Sequence, residues 1–328
     1  MKHSPRFFRQ GLLALTLGLA AAQAGAAELV ALELALDNDQ FAATPARDER
    51  GYTSGAFLRA AFDHTGQMPP ACRIGLQPAC DGAARHLWVF SLEHALYTPA
   101  DTAAPVGAAT DRPYAATLAL GARSVTTSRS HRTELGLRLG TLGPAAQGEA
   151  VQNGLHRLIG QARAQGWSGQ VRAQALAEAE AALLVAAALP GNSLDTVGRV
   201  ALRVGTPETS ITLGGLVRWG AHAIDPTWPG ASIGALEPPG WSALAGGEVQ
   251  GVLRDARIDD APGVSGSQVR HAPLQGRVFA GLGYGFTPDL RLEFLLALHA
   301  VPFTVPEGAP EPRPQRIGTL ALRWTPQN

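Results

Sequence analysis

The feature that most restricts this chain is a two-residue periodicity that recurs along nearly its whole length. Leu290, Leu292, Phe294, Leu296 and Leu298 alternate with Arg291, Glu293 and His299. Leu135, Leu137 and Leu139 alternate with Glu134, Gly136 and Arg138, and Val200, Leu202 and Val204 with Arg199, Ala201 and Arg203. Successive side chains of a strand point to opposite faces, so each segment reads as a strand with one apolar and one polar face. The pattern predicts strands over 28–37, 52–63, 85–97, 112–125, 131–142, 170–188, 192–204, 209–219, 245–256, 272–286, 290–300 and 315–325. Pro190-Gly191-Asn192, Gly205-Thr206-Pro207 and Thr287-Pro288-Asp289 supply turns between them.

Alternation does not say which face is covered. A soluble sandwich turns its apolar face to a core, whereas an outer-membrane barrel turns it to lipid and keeps polar side chains in the lumen. The N-terminus favours the barrel. Lys2, Arg6 and Arg9 precede the apolar run Leu12 to Ala22, and Ala24-Gly25-Ala26 offers a small-residue cleavage site, so residues 1–26 read as a secretory signal peptide. Beyond it no apolar run approaches the roughly 18 residues of a spanning helix. The alanine-rich stretch 173–188 is broken by Glu178 and Glu180. Charged residues make up 16% of the chain and the net charge is zero, which gives nucleic acid no basic surface. The expected architecture is all-β: one domain over 27–328, a transmembrane antiparallel β-barrel of about 12 strands. A periplasmic β-sandwich binding protein is the competing architecture. Cys72 and Cys80 share one Pro-rich loop of an exported chain and are expected to form a disulfide.

One internal segment breaks the strand pattern. Gly143 to Gln170 reads as an amphipathic helix, with Pro144 suited to a first helical position. Val151, Leu155, Leu158 and Ile159 make an apolar stripe on it, and Glu149, Gln152 and His156 a polar one. With both termini in the periplasm, strand parity places the loops 38–51, 98–111 and 143–169 on the extracellular rim and the cysteine loop on the periplasmic side. His156 then shares a rim with Asp37-Asn38-Asp39 and Tyr52-Thr53-Ser54. The Pro/Gly/Trp-rich connection 220–244 is too long for an ordinary periplasmic turn.

HExxH, GxSxG, paired CxxC and phosphate-loop motifs are absent from the sequence. Each polar group taken alone has an ordinary reading: Asn38-Asp39 as turn chemistry, Thr53 and Ser54 as strand starts, and His156 as a solvated helix residue. Together they suit a calcium-assisted hydrolase. A hard cation takes oxygen ligands, available from Asn38, Asp39, carbonyls and the hydroxyl of Thr53 or Ser54, and it polarises an ester carbonyl. A neutral His156 would accept a proton from water. Strict alternation assigns Asn38 and Ser54 to the lipid-facing side of their strands, and Asp39 and Thr53 to the other.

The blocks LDNDQF, DERGYTSG, DRPYAATLALG, GPAAQGEAVQNGLHRLIG and QGWSGQ, in that order, resemble the outer-membrane lipid A 3′-O-deacylases. LRDARIDD, HAPLQG and the closing RIGTLALRW fit that family more loosely. The resemblance implies a twelve-stranded barrel whose active site lies between the wall and a helix from an extracellular loop. It further implies Asn38 and Asp39 at a Ca2+ site, Thr53 or Ser54 nearby, and His156 as the base. The implied substrate is an ester-linked 3′ acyl chain of lipid A in lipopolysaccharide of the outer membrane, and no protein partner is indicated. Two departures stand out. After the tryptophan the family tends to Gln-Leu-x-Asn-Glu-Pro, whereas this chain has Gln170-Val171-Arg172-Ala173-Gln174-Ala175, and the mature chain has no lysine. The alternative reading is therefore a catalytically inactive barrel of the same fold with a structural or channel role.

Overall fold

A computed structural model describes residues 28–42, 51–64, 72, 84–105, 107–128, 130–189, 193–221, 226–230, 233, 238–260 and 267–326. The signal segment 1–26 and Cys80 lie outside these residues; Cys72 is disulfide-bonded. The strands are β1 (Glu28–Asn38), β2 (Gly51–Asp63), β3 (Arg85–Thr98), β4 (Ala115–Ser128), β5 (His131–Leu142), β6 (Gln174–Ala188), β7 (Leu194–Thr206), β8 (Glu208–Gly220), β9 (Gly240–Asp255), β10 (Arg270–His271), β11 (Leu274–Gly285), β12 (Leu290–His299), β13 (Phe303–Thr304) and β14 (Gln315–Trp324). Helix α1 spans Gly148–Leu158 and the one-turn α2 spans Ala256–Asp259.

Twelve of the strands close into a barrel in which each is antiparallel to its chain neighbour, and β14 returns to pair with β1. All twelve segments expected from periodicity are barrel strands. The largest shifts are β9, which begins five residues early at Gly240, and β6, which begins four residues late at Gln174. The two-residue strands β10 and β13 pair with each other outside the barrel sheet.

The burial pattern decides between the two architectures. On β1, Leu32, Leu34 and Leu36 are exposed while Ala31, Glu33 and Ala35 are buried. The same inversion holds on β7, where Val200, Leu202 and Val204 face out and Arg199 is buried. A soluble sandwich would bury the leucines, so the sandwich is excluded; these rows are the lipid-facing surface of a membrane barrel.

Charges on the inner face are paired across strands. Glu33 of β1 stands in register with Arg59 of β2 and Arg323 of β14 and binds both, at 2.5 and 2.9 Å. Arg138 joins Glu93 and Glu178 at 2.9 and 2.7 Å, and Glu180 lies between Arg123 and Arg199. These pairs are shielded from water, so an unmatched member costs far more than a surface charge.

Described residues of the connection between β8 and β9 lie in the lumen. Trp228, 2% exposed, packs on Phe279 with ring centroids 5.7 Å apart and lies under the Arg199 guanidinium. Ile233 is buried against Ala31, Ala61, Leu87 and Val125, and its carbonyl accepts from Arg132. Arg218 donates to Thr227 Oγ1 at 2.6 Å. Around Trp228 and Ile233 the lumen is plugged by the chain itself.

Two outcomes follow. Reconstituted in planar bilayers, the protein should pass no steady ionic current, and shortening the plug between Gly220 and Gly240 should open one. Glu33→Ala leaves two buried guanidiniums facing each other across the closing seam and should cost about 3–5 kcal/mol. That loss would be read as a lower temperature at which the folded band is lost in heat-modifiable electrophoresis, with Glu33→Asp recovering part of it.

Candidate active site

The stretch 143–170 is not one helix, as its periodicity predicted, but three pieces. Pro144 opens a 3-10 turn, Pro144–Ala146; Gln147, at φ 59°, then turns the chain into α1, and a second 3-10 turn spans Gly166–Gly169. A side chain at φ near +60° cannot continue a helix, so the helical register restarts at Gly148. Gly143 makes the exit from β5 possible: at φ 95°, a Cβ there would meet Val171 O and Arg172 O within 2.7 Å.

The amphipathicity of α1 is inverted relative to a core helix. Of its expected polar stripe Gln152 and His156 are buried, with Asn153 beside them, each less than one-tenth exposed, whereas Glu149 is exposed and paired with Arg163; Val151, Leu155, Leu158 and Ile159 are exposed as well. A network of hydrogen bonds makes the polar burial tolerable. Trp167 Nε1 donates to Gln152 Oε1 at 2.7 Å. Asn153 is bidentate on the Ala164 backbone, donating to its carbonyl at 3.1 Å and accepting from its N–H at 2.8 Å. The loop packs on the outer face of the wall. Leu96 of β3 and Ala116 of β4 are buried with Tyr114, Ala146, Ala164 and Trp167, and His94 Nε2 meets Ala146 O at 2.9 Å.

His156, 6% exposed, places Nδ1 2.6 Å from Ala162 O. A carbonyl can only accept, so Nδ1 carries the proton and Nε2 of the neutral ring presents a lone pair. This is the tautomer a general base needs, held by a backbone contact that the helix periodicity did not reveal.

The other predicted residues lie on the same rim, two strands away. Asn38 closes β1, stands in register with Ser54 and Gly318, and accepts from Gln40 N at 2.7 Å. Its turn reading is therefore correct, alongside any further role. Asp39 is buried at the head of a 3-10 turn, Asp39–Ala42, which lies against β14; a Cβ on Gly318 would come within 2.5 Å of Phe41. Thr53 is the extra residue of a β-bulge between Tyr52 and Ser54, and bulges re-aim side chains. Simple alternation put Thr53 toward the lumen. Instead Tyr52 lines the lumen and Thr53 Oγ1 pairs with Thr98 Oγ1 at 2.6 Å, both buried. Ser54 stands in register with Leu96, inside the patch that the loop covers.

No hydrogen bond among the described residues joins His156 to Asn38, Asp39, Thr53 or Ser54; they share a wall and a rim, not a contact. For a hard cation the donor types fit, since Asp39, Asn38 and the Thr53–Thr98 hydroxyls are all oxygen ligands. They include one carboxylate, and no group of three His, Cys, Asp or Glu side chains arranged for a metal occurs among the described residues. Any Ca2+ here would rest on Asp39 completed by neutral oxygens. Gln174 opens β6 opposite Leu142. Sequence reasoning gave no role to Asn153, Thr98 or Trp167. The spacing Gln152-Asn153-x-x-His156 on one helix side was the visible signal for the first; nothing marked Thr98.

Across the wall the lumen keeps a cavity of about 400 Å³ lined by Tyr52, Tyr97, Arg112, Arg257 and Gln315 among others. Arg112 and Arg257 both stand over the Tyr97 ring, 4.7 and 5.1 Å from its centroid. Burial pulls Arg112 down to about 10, so it stays cationic at neutral pH.

These features define a class: a twelve-stranded outer-membrane barrel with chain folded into its lumen and buried polar side chains on a loop helix outside its wall. The chain belongs to the family described as outer membrane protein LpxR, whose profile matches residues 11–325. It is similar in structure to LpxR from Salmonella typhimurium, with a TM-score of 0.74 at 17% identity over 90% of this chain and 99% of that one. The translocator domain of autotransporter NalP from Neisseria meningitidis scores 0.42 at 9% identity, covering 96% of each chain. The β domain of the Bordetella autotransporter BrkA also scores 0.42, at 10% identity over 92% of this chain and 99% of that one. Neither carries weight here. No curated protein sequence matches the chain.

Asn153→Ala removes both contacts that hold α1 to Ala164 and should weaken the loop locally by about 1–3 kcal/mol. Faster amide exchange over residues 159–167, with the strands unchanged, is the expected readout.

Proposed function

We propose that this protein is an outer-membrane ester hydrolase that removes the 3′ acyl chain of lipid A. The observation that carries this reading is His156: a buried imidazole locked with Nε2 free, on the wall-facing side of a rim helix in a barrel of this family. A lipid ester reaches such a pocket from the side, from the leaflet, without entering the plugged lumen. Trp228 and Ile233 in the lumen argue against a channel role.

His156 Nε2 takes a proton from a water whose oxygen attacks the ester carbonyl carbon, while Ala162 O holds the imidazolium that forms. The tetrahedral intermediate then collapses: the acyl carbon keeps the water oxygen and leaves as a carboxylic acid. The sugar oxygen departs with the C–O bonding pair and takes the proton back from His156. Gln152 and Asn153 do not titrate; they fix the ring's helix against the wall. Ca2+, held by Asp39 with Asn38 and the hydroxyl of Thr53 or Ser54, would supply Lewis-acid stabilisation of the oxyanion. With both termini in the periplasm, this rim faces the cell exterior, where the outer leaflet carries lipopolysaccharide.

Expressed in a host whose lipid A is fully acylated, the protein should yield lipid A lighter by its 3′ acyl substituent in mass spectra. His156→Ala should lower turnover by about 10²–10⁴ without affecting barrel assembly. Chelation should lower turnover, and added Ca2+ should restore it. Unchanged lipid A from correctly inserted protein would instead establish the inactive-barrel reading, which the single carboxylate and Gln174 favour.

A further inference from the structure

The exposed apolar side of α1 has no partner among the described residues. Val151, Leu155, Leu158 and Ile159 are 46, 43, 84 and 51% exposed, while Gln152, Asn153, His156, Ala164 and Trp167 of the same loop are buried. Three exposed apolar side chains on an eleven-residue helix, with a fourth just past its end, would be an odd surface to present to water. Their position on the barrel says what covers them. The outward row of β4 runs from Ala116, fully buried beneath the loop, through Leu118, packed at its edge, to Leu120, which is exposed. Residues two apart on a strand are separated by about 7 Å, so the loop ends where the lipid-facing belt begins. Leu137 and Leu139, exposed on the neighbouring β5, continue that belt toward the strand end from which the loop emerges.

We infer that α1 is an interfacial helix whose apolar side is embedded among the acyl chains of the surrounding outer leaflet. Three sectors follow from its spacing of 3.6 residues per turn. Gln152 and His156 face the wall. Val151, Leu155 and Leu158 lie about a quarter turn to one side, continuous with the belt. Arg157 lies on the other side and is exposed, within reach of anionic headgroups, as are Arg163 and Arg172 in the following segment. Interfacial helices have this arrangement, with an apolar side sunk about 5–10 Å and arginine on the polar side. The consequence for the proposed reaction, on which this inference rests for its purpose, is that His156 is bordered by lipid on one side and water on the other. An ester and its attacking water then arrive from opposite edges of the helix.

The test needs no ester cleavage, so it can fail independently of the deacylase reading. A nitrobenzoxadiazole probe is attached to Leu158→Cys or, separately, to Arg157→Cys, with the native disulfide intact. Each protein is inserted into phosphatidylethanolamine–phosphatidylglycerol vesicles, with insertion checked by heat-modifiable migration. With brominated acyl chains, the probe at 158 should be quenched roughly twofold, and the probe at 157 little, as expected for a helix lying in the interface. Aqueous iodide should quench in the reverse order. Adding Leu155→Asp, which places a charge on the same side, should reduce bromine quenching at 158 and increase iodide quenching there. Equal quenching at both positions would overturn the inference. So would shielding of 158 that grows with protein concentration, since a second copy of the chain would then be the cover.

Discussion

Everything in this molecule depends on closure. In lipid no water can satisfy an edge strand, so β1 and β14 must find each other for any strand to be stable there. The seam is specified twice. Backbone pairing runs from Leu32 opposite Trp324 to Asn38 opposite Gly318. Inside it, Glu33 stands level with Arg323 on one side and Arg59 on the other and binds both. A slip of one residue would turn these charges to the lipid and the leucines to the lumen, so register and charge pairing enforce each other.

The same outer and inner faces separate the protein's two polar regions. Inside, arginine–carboxylate pairs and the plug around Trp228 fill the space, leaving a cavity with Arg112 and Arg257 beside Tyr97. Outside, the loop after β5 folds down over Leu96 and Ala116 and lays the polar side of α1 against the wall. The bulge at Thr53 sorts neighbours between these compartments, sending Tyr52 to the lumen and Thr53 to Thr98. A barrel that solves lipid solubility with one face can thus hold a buried imidazole on that same face, provided a loop covers it.

The twelve strands were legible because period two is a local signal: the polar partner of each apolar residue is its neighbour in sequence. The rim shared by Asn38, Thr53 and His156 was legible as well, since parity needs only the strand count. The interior of the loop was not. Gln147 in the left-handed region is invisible to a periodicity argument, and it splits one expected helix into a turn and α1. The apolar stripe of α1 was readable but its direction was not, because a helix facing lipid and one facing a core carry the same pattern.

By itself, then, the sequence determined the class of fold, the number of barrel strands and which residues share a rim, because these follow from alternation and counting. Tertiary structure alone decided that Trp228 and Ile233 of the long connection after β8 enter the lumen and that Thr53 leaves its expected face. It also decided that His156 is held through Nδ1 by Ala162, with Nε2 free. These outcomes depend on contacts between residues distant in sequence or on single backbone angles, and neither leaves a repeating trace in the chain.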